Sequence, residues 1–119
     1  MIRDTTIAQR QALLAEALEV LEREYAAQIE VDDVARRLAT SRRQLQRCFA
    51  EHGDGPFREC LARIRMRRAA ELLQSTSLPV REVAHRVGYR QPAQFAKAFA
   101  RHHGTVPSRF RASRSRRPA

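Results

Sequence analysis

Two copies of one pattern run through this sequence, and the duplication limits the possible fold more than any other feature. Val31, Val34, Ala35, Leu38 and Ala39 recur 49 residues later as Val80, Val83, Ala84, Val87 and Gly88. Leu45, Cys48 and Phe49 recur 50 residues later as Phe95, Ala98 and Phe99, and Gly53 and Pro56 recur 51 residues later as Gly104 and Pro107. Apolar residues at three- and four-residue steps are the mark of a helix with one buried side. Each copy therefore reads as a short helix, a tight turn, a second helix and a Gly-x-x-Pro exit. A generic helical bundle would share the periodicity but not the matched turn positions.

The rest of the chain is helical too. Leu14, Leu18, Leu21 and Tyr25 alternate with Glu16, Glu19, Glu22 and Arg23, which predicts an amphipathic helix from Thr5 to Ala26. Helices are expected at Asp32–Leu38 and Arg42–Glu51 in the first copy, at Phe57–Leu73 between the copies, and at Val80–Val87 and Pro92–His102 in the second, with a terminal turn near Ser108. In the middle helix Phe57, Leu61 and Ile64 form one apolar stripe, while Met66, Ala69, Ala70 and Leu73 lie on nearly the opposite side at about 100° per residue. A helix whose apolar side switches halfway can serve two cores, one at each end. The expected fold is all-α, about seven helices, with two subdomains joined by that long linker helix. The corresponding segments are 1–54 for the N-terminal helix and first subdomain, 55–75 for the linker, 76–111 for the second subdomain and 112–119 for a basic, disordered tail. Arg111, Arg114, Arg116 and Arg117 crowd the C-terminal end, where nothing more apolar than alanine follows.

Helix, tight turn and second helix make a helix-turn-helix unit, whose second helix enters the major groove of DNA. The charge agrees. Lys+Arg is 23 against Asp+Glu 13, a formal net charge of +10 on 119 residues. An excess of that size on so small a body points to a polyanion, with nucleic acid ahead of a membrane surface. No apolar run approaches the ~20 residues that a bilayer-spanning helix needs. Cys48 and Cys60 are too few for a disulfide scaffold, so a reducing cytoplasm is expected.

These residues resemble the DNA-binding domain of the AraC/XylS family of bacterial transcription regulators, from about Ile29 to Arg111. In the first unit the resemblance rests on Val34-Ala35, Ser41, Leu45-Gln46-Arg47 and Phe49. In the linker it rests on Arg65-Met66, Ala69 and Leu72-Leu73. In the second unit it rests on Val83-Ala84, Val87-Gly88-Tyr89, Phe95, Phe99, Gly104 and Pro107-Ser108-x-Phe110-Arg111, the family's most specific signature. The resemblance implies a cytoplasmic, nucleoid-associated, sequence-specific regulator of bacterial transcription, usually an activator, that places two recognition helices in successive major-groove segments. It also implies contact with RNA polymerase. Two linked units span both groove segments without a dimer partner, so a monomer on DNA is expected. The first turn departs from the family pattern: Ala39 stands where glycine is usual, which implies a distorted turn. Only 28 residues precede the match, as in the family's small stand-alone members. The alternative is a DNA-binding fragment of a larger regulator with a sensing or repair domain. A sequence-blind DNA-coating protein is the third reading; it accounts for the basic tail but not for distinct polar helix faces.

Helix geometry selects the candidate contacts. On the second helix of the first unit, Leu45, Cys48 and Phe49 take one side, leaving Arg43, Gln46, Arg47 and Ala50 opposite at i, i+3, i+4 and i+7. Arginine donates two bonds to guanine O6 and N7, and glutamine pairs with adenine N6 and N7. The resemblance places Arg43, Gln46 and Arg47 at base-facing positions. Ser41-Arg42-Arg43-Gln44 reads as a capping box that opens a helix N-terminus to phosphate. In the second unit the equivalents are Ala93, Ala96 and Lys97, with Gln94, Lys97 and Arg101 as polar contacts. Gln91 is the expected N-cap and Pro92 the first helical residue. The base-reading set is thus Arg43, Gln46, Arg47, Gln94 and Lys97, and the backbone set is Ser41, Arg42, Arg90, Gln91 and Arg101. Arg58 and Arg63 are further backbone candidates.

An enzyme is the rival class. Cys48 lies between core positions and reads as a packed thiol, whereas Cys60, near Arg58 and Arg63, is expected to be partly exposed. Neither belongs to a Cys-His-acid arrangement, and His52, His85, His102 and His103 give no paired metal-ligand spacing. His52 and His102 are expected to end their helices, where a cation eases the macrodipole. No catalytic residue, metal site or cofactor is expected.

Overall fold

The structure, a computed structural model, describes residues 6–115. Among the described residues it contains seven helices and no strand: α1 (Ile7–Glu24), α2 (Val31–Arg37), α3 (Arg42–His52), α4 (Phe57–Ser75), α5 (Val80–Arg86), α6 (Pro92–His103) and α7 (Pro107–Ser115). The fold class and the repeated helix pairs are as expected. The chain divides into two compact units between Leu61 and Ala62, inside α4. Each end of α4 contributes to the core of one unit. Phe57, Cys60 and Leu61 are buried before the division, and Met66, Ala69 and Leu73 after it.

In the first unit α1 begins at a reciprocal cap. The Gln9 N–H donates to Thr6 Oγ1 at 3.1 Å, and the Thr6 N–H donates to Gln9 Oε1 at 2.8 Å. Two backbone donors that the helix cannot satisfy are thus satisfied locally. Leu13, Leu14, Ala17, Val20 and Leu21 form its buried side, and α1 packs on α3. Helix α2 also packs on α3, through Val34 and Ala35. Phe49 is wholly buried and meets Phe57 edge-on, with ring centroids 5.5 Å apart.

The two turns are built alike despite their different residues. The Thr40 N–H reaches back five residues to the Ala35 carbonyl at 3.0 Å, and the Tyr89 N–H reaches the Ala84 carbonyl at 2.9 Å. Both close a helix through one residue of positive φ, Ala39 at 54° and Gly88 at 99°. The distortion expected at Ala39 is absent; alanine adopts the left-handed conformation, at a steric cost of about 1 kcal/mol. Gly88 has no such latitude. A Cβ there would lie 3.0 Å from Arg65 Nε, and the half-buried Arg65 guanidinium sits 5.7 Å from the Tyr89 ring centroid.

The second unit is an aromatic column. Phe95 lies between Tyr89 and Phe99, with centroids at 5.7 and 5.8 Å, and Phe99 meets Phe110 at 5.2 Å. His103 stacks 4.4 Å from Phe99, and its Nε2–H donates to the Met66 carbonyl at 3.1 Å. Arg111 joins the C-terminal end of α4 to the chain beyond it. Its Nε donates to the Leu73 carbonyl at 3.1 Å, one terminal nitrogen to Leu78 at 2.6 Å and the other to Thr76 at 3.2 Å. A cation here satisfies the Leu73 carbonyl that α4 leaves open, together with two carbonyls of the chain beyond the helix, and opposes the macrodipole of α4.

Arg111 is thus structural rather than part of the basic end. Helix α7 runs through Ser115, so residues 112–115 of the expected disordered tail continue a helix, and 116–119 lie outside the described residues. The apolar contacts of Phe110 with Phe99 and the three bonds of Arg111 anchor this helix.

Two stability predictions follow from these contacts. Replacing Ala39 with glycine should raise the unfolding free energy by up to about 0.5 kcal/mol, because strain relief slightly exceeds the added freedom of the unfolded chain. Arg111→Met keeps the aliphatic stem and removes three hydrogen bonds, so it should cost about 2–4 kcal/mol and lower the Tm by roughly 10 °C. Thermal and urea denaturation followed by circular dichroism measure both.

Candidate nucleic-acid interface

The orientation of α3 follows from its buried side. Leu45, Cys48 and Phe49 are at most 1 % exposed, and Arg43, Gln46, Arg47 and Ala50 all face solvent on the other side. Pinning a helix by three buried side chains fixes which residues can approach a ligand. Ser41 occupies the N-cap, its Oγ accepting from the Gln44 N–H at 3.1 Å. The return half of the expected capping box is missing. Gln44 Oε1 instead accepts from Thr40 Oγ1 at 3.4 Å, because the buried Thr40 hydroxyl needs a partner. Arg42 lies exposed at the same end, 3.7 Å from Asp32.

At the other end of α3 stands a group that the sequence reading did not single out. Glu51 accepts from Arg47 Nε at 3.2 Å through one carboxylate oxygen and from Arg10 of α1 at 3.1 Å through the other. The four-residue step from Arg47 to Glu51 is legible in the sequence; the reach from Arg10 is not, since it depends on α1 packing against α3.

On α6 the inward residues are Phe95, Ala98 and Phe99, all buried. Gln91, Ala93, Gln94, Lys97 and Arg101 are exposed, as is Arg90 just before the helix, and Ala96 is half-buried. Gln91 does occupy the N-cap, yet its side chain makes no capping bond, and Pro92 begins the helix with no N–H to satisfy. The helix ends at His103, not His102, and Gly104 closes it at φ 77°. By contrast Gly53, at the end of α3, has an extended backbone. Arg58 and Arg63 are exposed on α4.

The thiols are enclosed. Burial pushes the Cys48 thiol up, and nearby Glu51 adds to this while Arg10 opposes it. Cys60, expected to be partly exposed, is 6 % exposed and donates to the Gly55 carbonyl at 3.5 Å. Its place on the inner side of the first turn of α4 hides it. Among the described residues no helix is long and apolar enough to cross a membrane.

Residues 34–113 match the protein family described as a helix-turn-helix domain. The transcriptional activator AarP of Providencia stuartii is 30% identical over 102 residues, covering 86% of this chain and 76% of that protein. An AraC-type transcriptional regulator from Chromobacterium violaceum has a structure that superposes with a TM-score of 0.85 at 28% identity, over 93% of this chain and 99% of that one. The DNA-binding domain of AdpA, solved with a target DNA, gives a TM-score of 0.78 at 34% identity, over 88% and 96%. The chain spans about a third of the length of the first curated relatives it matches.

Enclosure of both thiols has a direct chemical consequence. A native sample at pH 8 should react with Ellman's reagent only at the rate of unfolding, then release two equivalents of thiolate in denaturant. Fast reaction of either thiol in the folded protein would place it at the surface.

Proposed function

The chain belongs to the AraC/XylS-type helix-turn-helix family of transcriptional regulators, and from that premise we propose that it binds double-stranded DNA sequence-specifically to regulate transcription, as an activator. On this reading α3 and α6 occupy successive major-groove segments. The observation that carries it is the polarity of α3: three inward residues hold the helix, and Arg43, Gln46 and Arg47 stand free of the core on its outer side. Arginine and glutamine are the side chains that pair bidentately with guanine and adenine.

The roles divide by chemistry. Arg43, Gln46 and Arg47 read bases. Gln94 and Lys97 supply a looser preference from α6, where Ala93 and Ala96 offer only contact to thymine methyls. Ser41, Arg42, Arg90, Gln91 and Arg101 grip the phosphate backbone and set register without specifying sequence. The protein acts as a binding module, not an enzyme, with no metal or cofactor. It works in the bacterial cytoplasm at the nucleoid, binds as a monomer and contacts RNA polymerase. The share of its relatives' length that it spans favours a second reading, the DNA-binding portion of a larger regulator.

In-vitro selection from randomised duplexes tests the proposal. An enriched asymmetric site of roughly two helical turns supports it; no enrichment at physiological salt overturns it in favour of sequence-blind coating. On the selected site, Arg47→Ala should cost about 1–3 kcal/mol and relax preference at one base pair. Lys97→Ala should weaken binding to every sequence, with only a slight loss of preference, and reduce the salt slope by about one unit. Equal relaxation by both would overturn the division of labour between the helices.

A further inference from the structure

The carboxylate of Glu51 sits on the helix assigned to base reading, where a negative charge opposes approach to phosphates. Helix stability does not call for it: Glu51 is the penultimate residue of α3, where the macrodipole disfavours an anion. The repeat sharpens the contrast. The residues equivalent to Arg47 and Glu51 in α6 are Lys97 and Arg101, two cations at the same spacing. Only α3 pairs its cation with an acid.

The geometry of the pair is specific. Glu51 takes Arg47 by Nε, the inner nitrogen of the guanidinium, at 3.2 Å, which leaves the two outer nitrogens as a fork. That outer edge is the one that matches guanine O6 and N7. Arg10 holds the other carboxylate oxygen at 3.1 Å and is itself the less exposed partner, 26 % against 39 % for Glu51. A long exposed arginine samples many rotamers, and fixing it before binding removes an entropic cost from the specific complex. The same carboxylate cancels part of the attraction of Arg47 to any phosphate.

We infer that Glu51, clamped by Arg10, is a specificity-determining positioning residue that presents Arg47 to a guanine and disfavours binding to unrelated DNA. This rests on the DNA-reading function proposed above and adds a residue and a target base to it. Arg47 reads, Glu51 aims, and Arg10 carries the aim back to the packed α1–α3 pair.

The test uses the full 119-residue chain, with fluorescence anisotropy on the selected duplex, on its single-base-pair variants and on an unrelated duplex, across a range of KCl. Glu51→Ala should lose about tenfold in discrimination at the guanine lost in Arg47→Ala, and no more in the double variant. It should bind the unrelated duplex more tightly, with a salt slope steeper by about one unit. Glu51→Gln keeps an oxygen for Arg47 Nε while dropping the charge, so it should retain most of the discrimination and still gain affinity for unrelated DNA. Glu51→Arg copies the α6 arrangement and should bind all duplexes tightly with the guanine preference gone; it serves if the alanine variant fails to fold by circular dichroism. Discrimination unchanged in these variants, or a uniform loss on every duplex as a purely structural role would give, overturns the inference. A wild-type protein with no preferred site overturns the proposed function as well, so the two failures are distinguishable.

Discussion

Each candidate recognition helix is held by a three-residue buried side, Leu45, Cys48 and Phe49 on α3 and Phe95, Ala98 and Phe99 on α6. Every proposed contact depends on this constraint, because burying one side of a short helix fixes its rotation about its own axis. Deleting a phenylalanine from such a site typically costs about 3–5 kcal/mol, so rotating either helix out of its seat is prohibitive on the scale of a domain's whole stability. The outer residues are accordingly aimed by residues that never meet a ligand. In the first unit the seat is formed with α1 and α2 and closed by the edge-on contact of Phe49 with Phe57. In the second it is formed with α5 and α7 and closed by Phe110 and His103.

The turns show how one geometry is reached by unlike chemistry. Glycine is favoured at position 88 by its φ of 99°, and a Cβ there would also press on the Arg65 guanidinium at 3.0 Å. Ala39 at 54° falls in the narrow left-handed region that a side chain can occupy at modest cost, so the hydrogen-bond pattern survives the substitution. A rule that glycine is needed there overstates the requirement, since the penalty is small against the burial of Val34, Ala35 and Leu45 on either side.

Arginine serves three distinct ends in this chain, and composition alone treats them as one. Arg43 and Arg47 stand on the outer side of α3. Arg111 spends its donors on three backbone carbonyls and holds the end of α4. Arg10 holds a carboxylate that in turn holds Arg47. A net charge of +10 points to a polyanion, but the sum does not say which cations are available to it; burial and hydrogen bonding divide them.

Periodicity in the amino-acid order was enough for the first six helices, the duplicated unit and the inward residues of α3 and α6, and the motif residues between Val34 and Arg111 carried the resemblance to the family. These are local or repeating properties: a helix places i, i+3 and i+4 on one side whatever surrounds it. Folding in three dimensions decided the rest. It placed Arg10 beside Glu51, 41 residues apart, set Arg111 on the carbonyls of Leu73, Thr76 and Leu78 and buried Cys60. Each of these depends on which segments meet across the chain, and no spacing along the sequence encodes a partner that arrives from another helix.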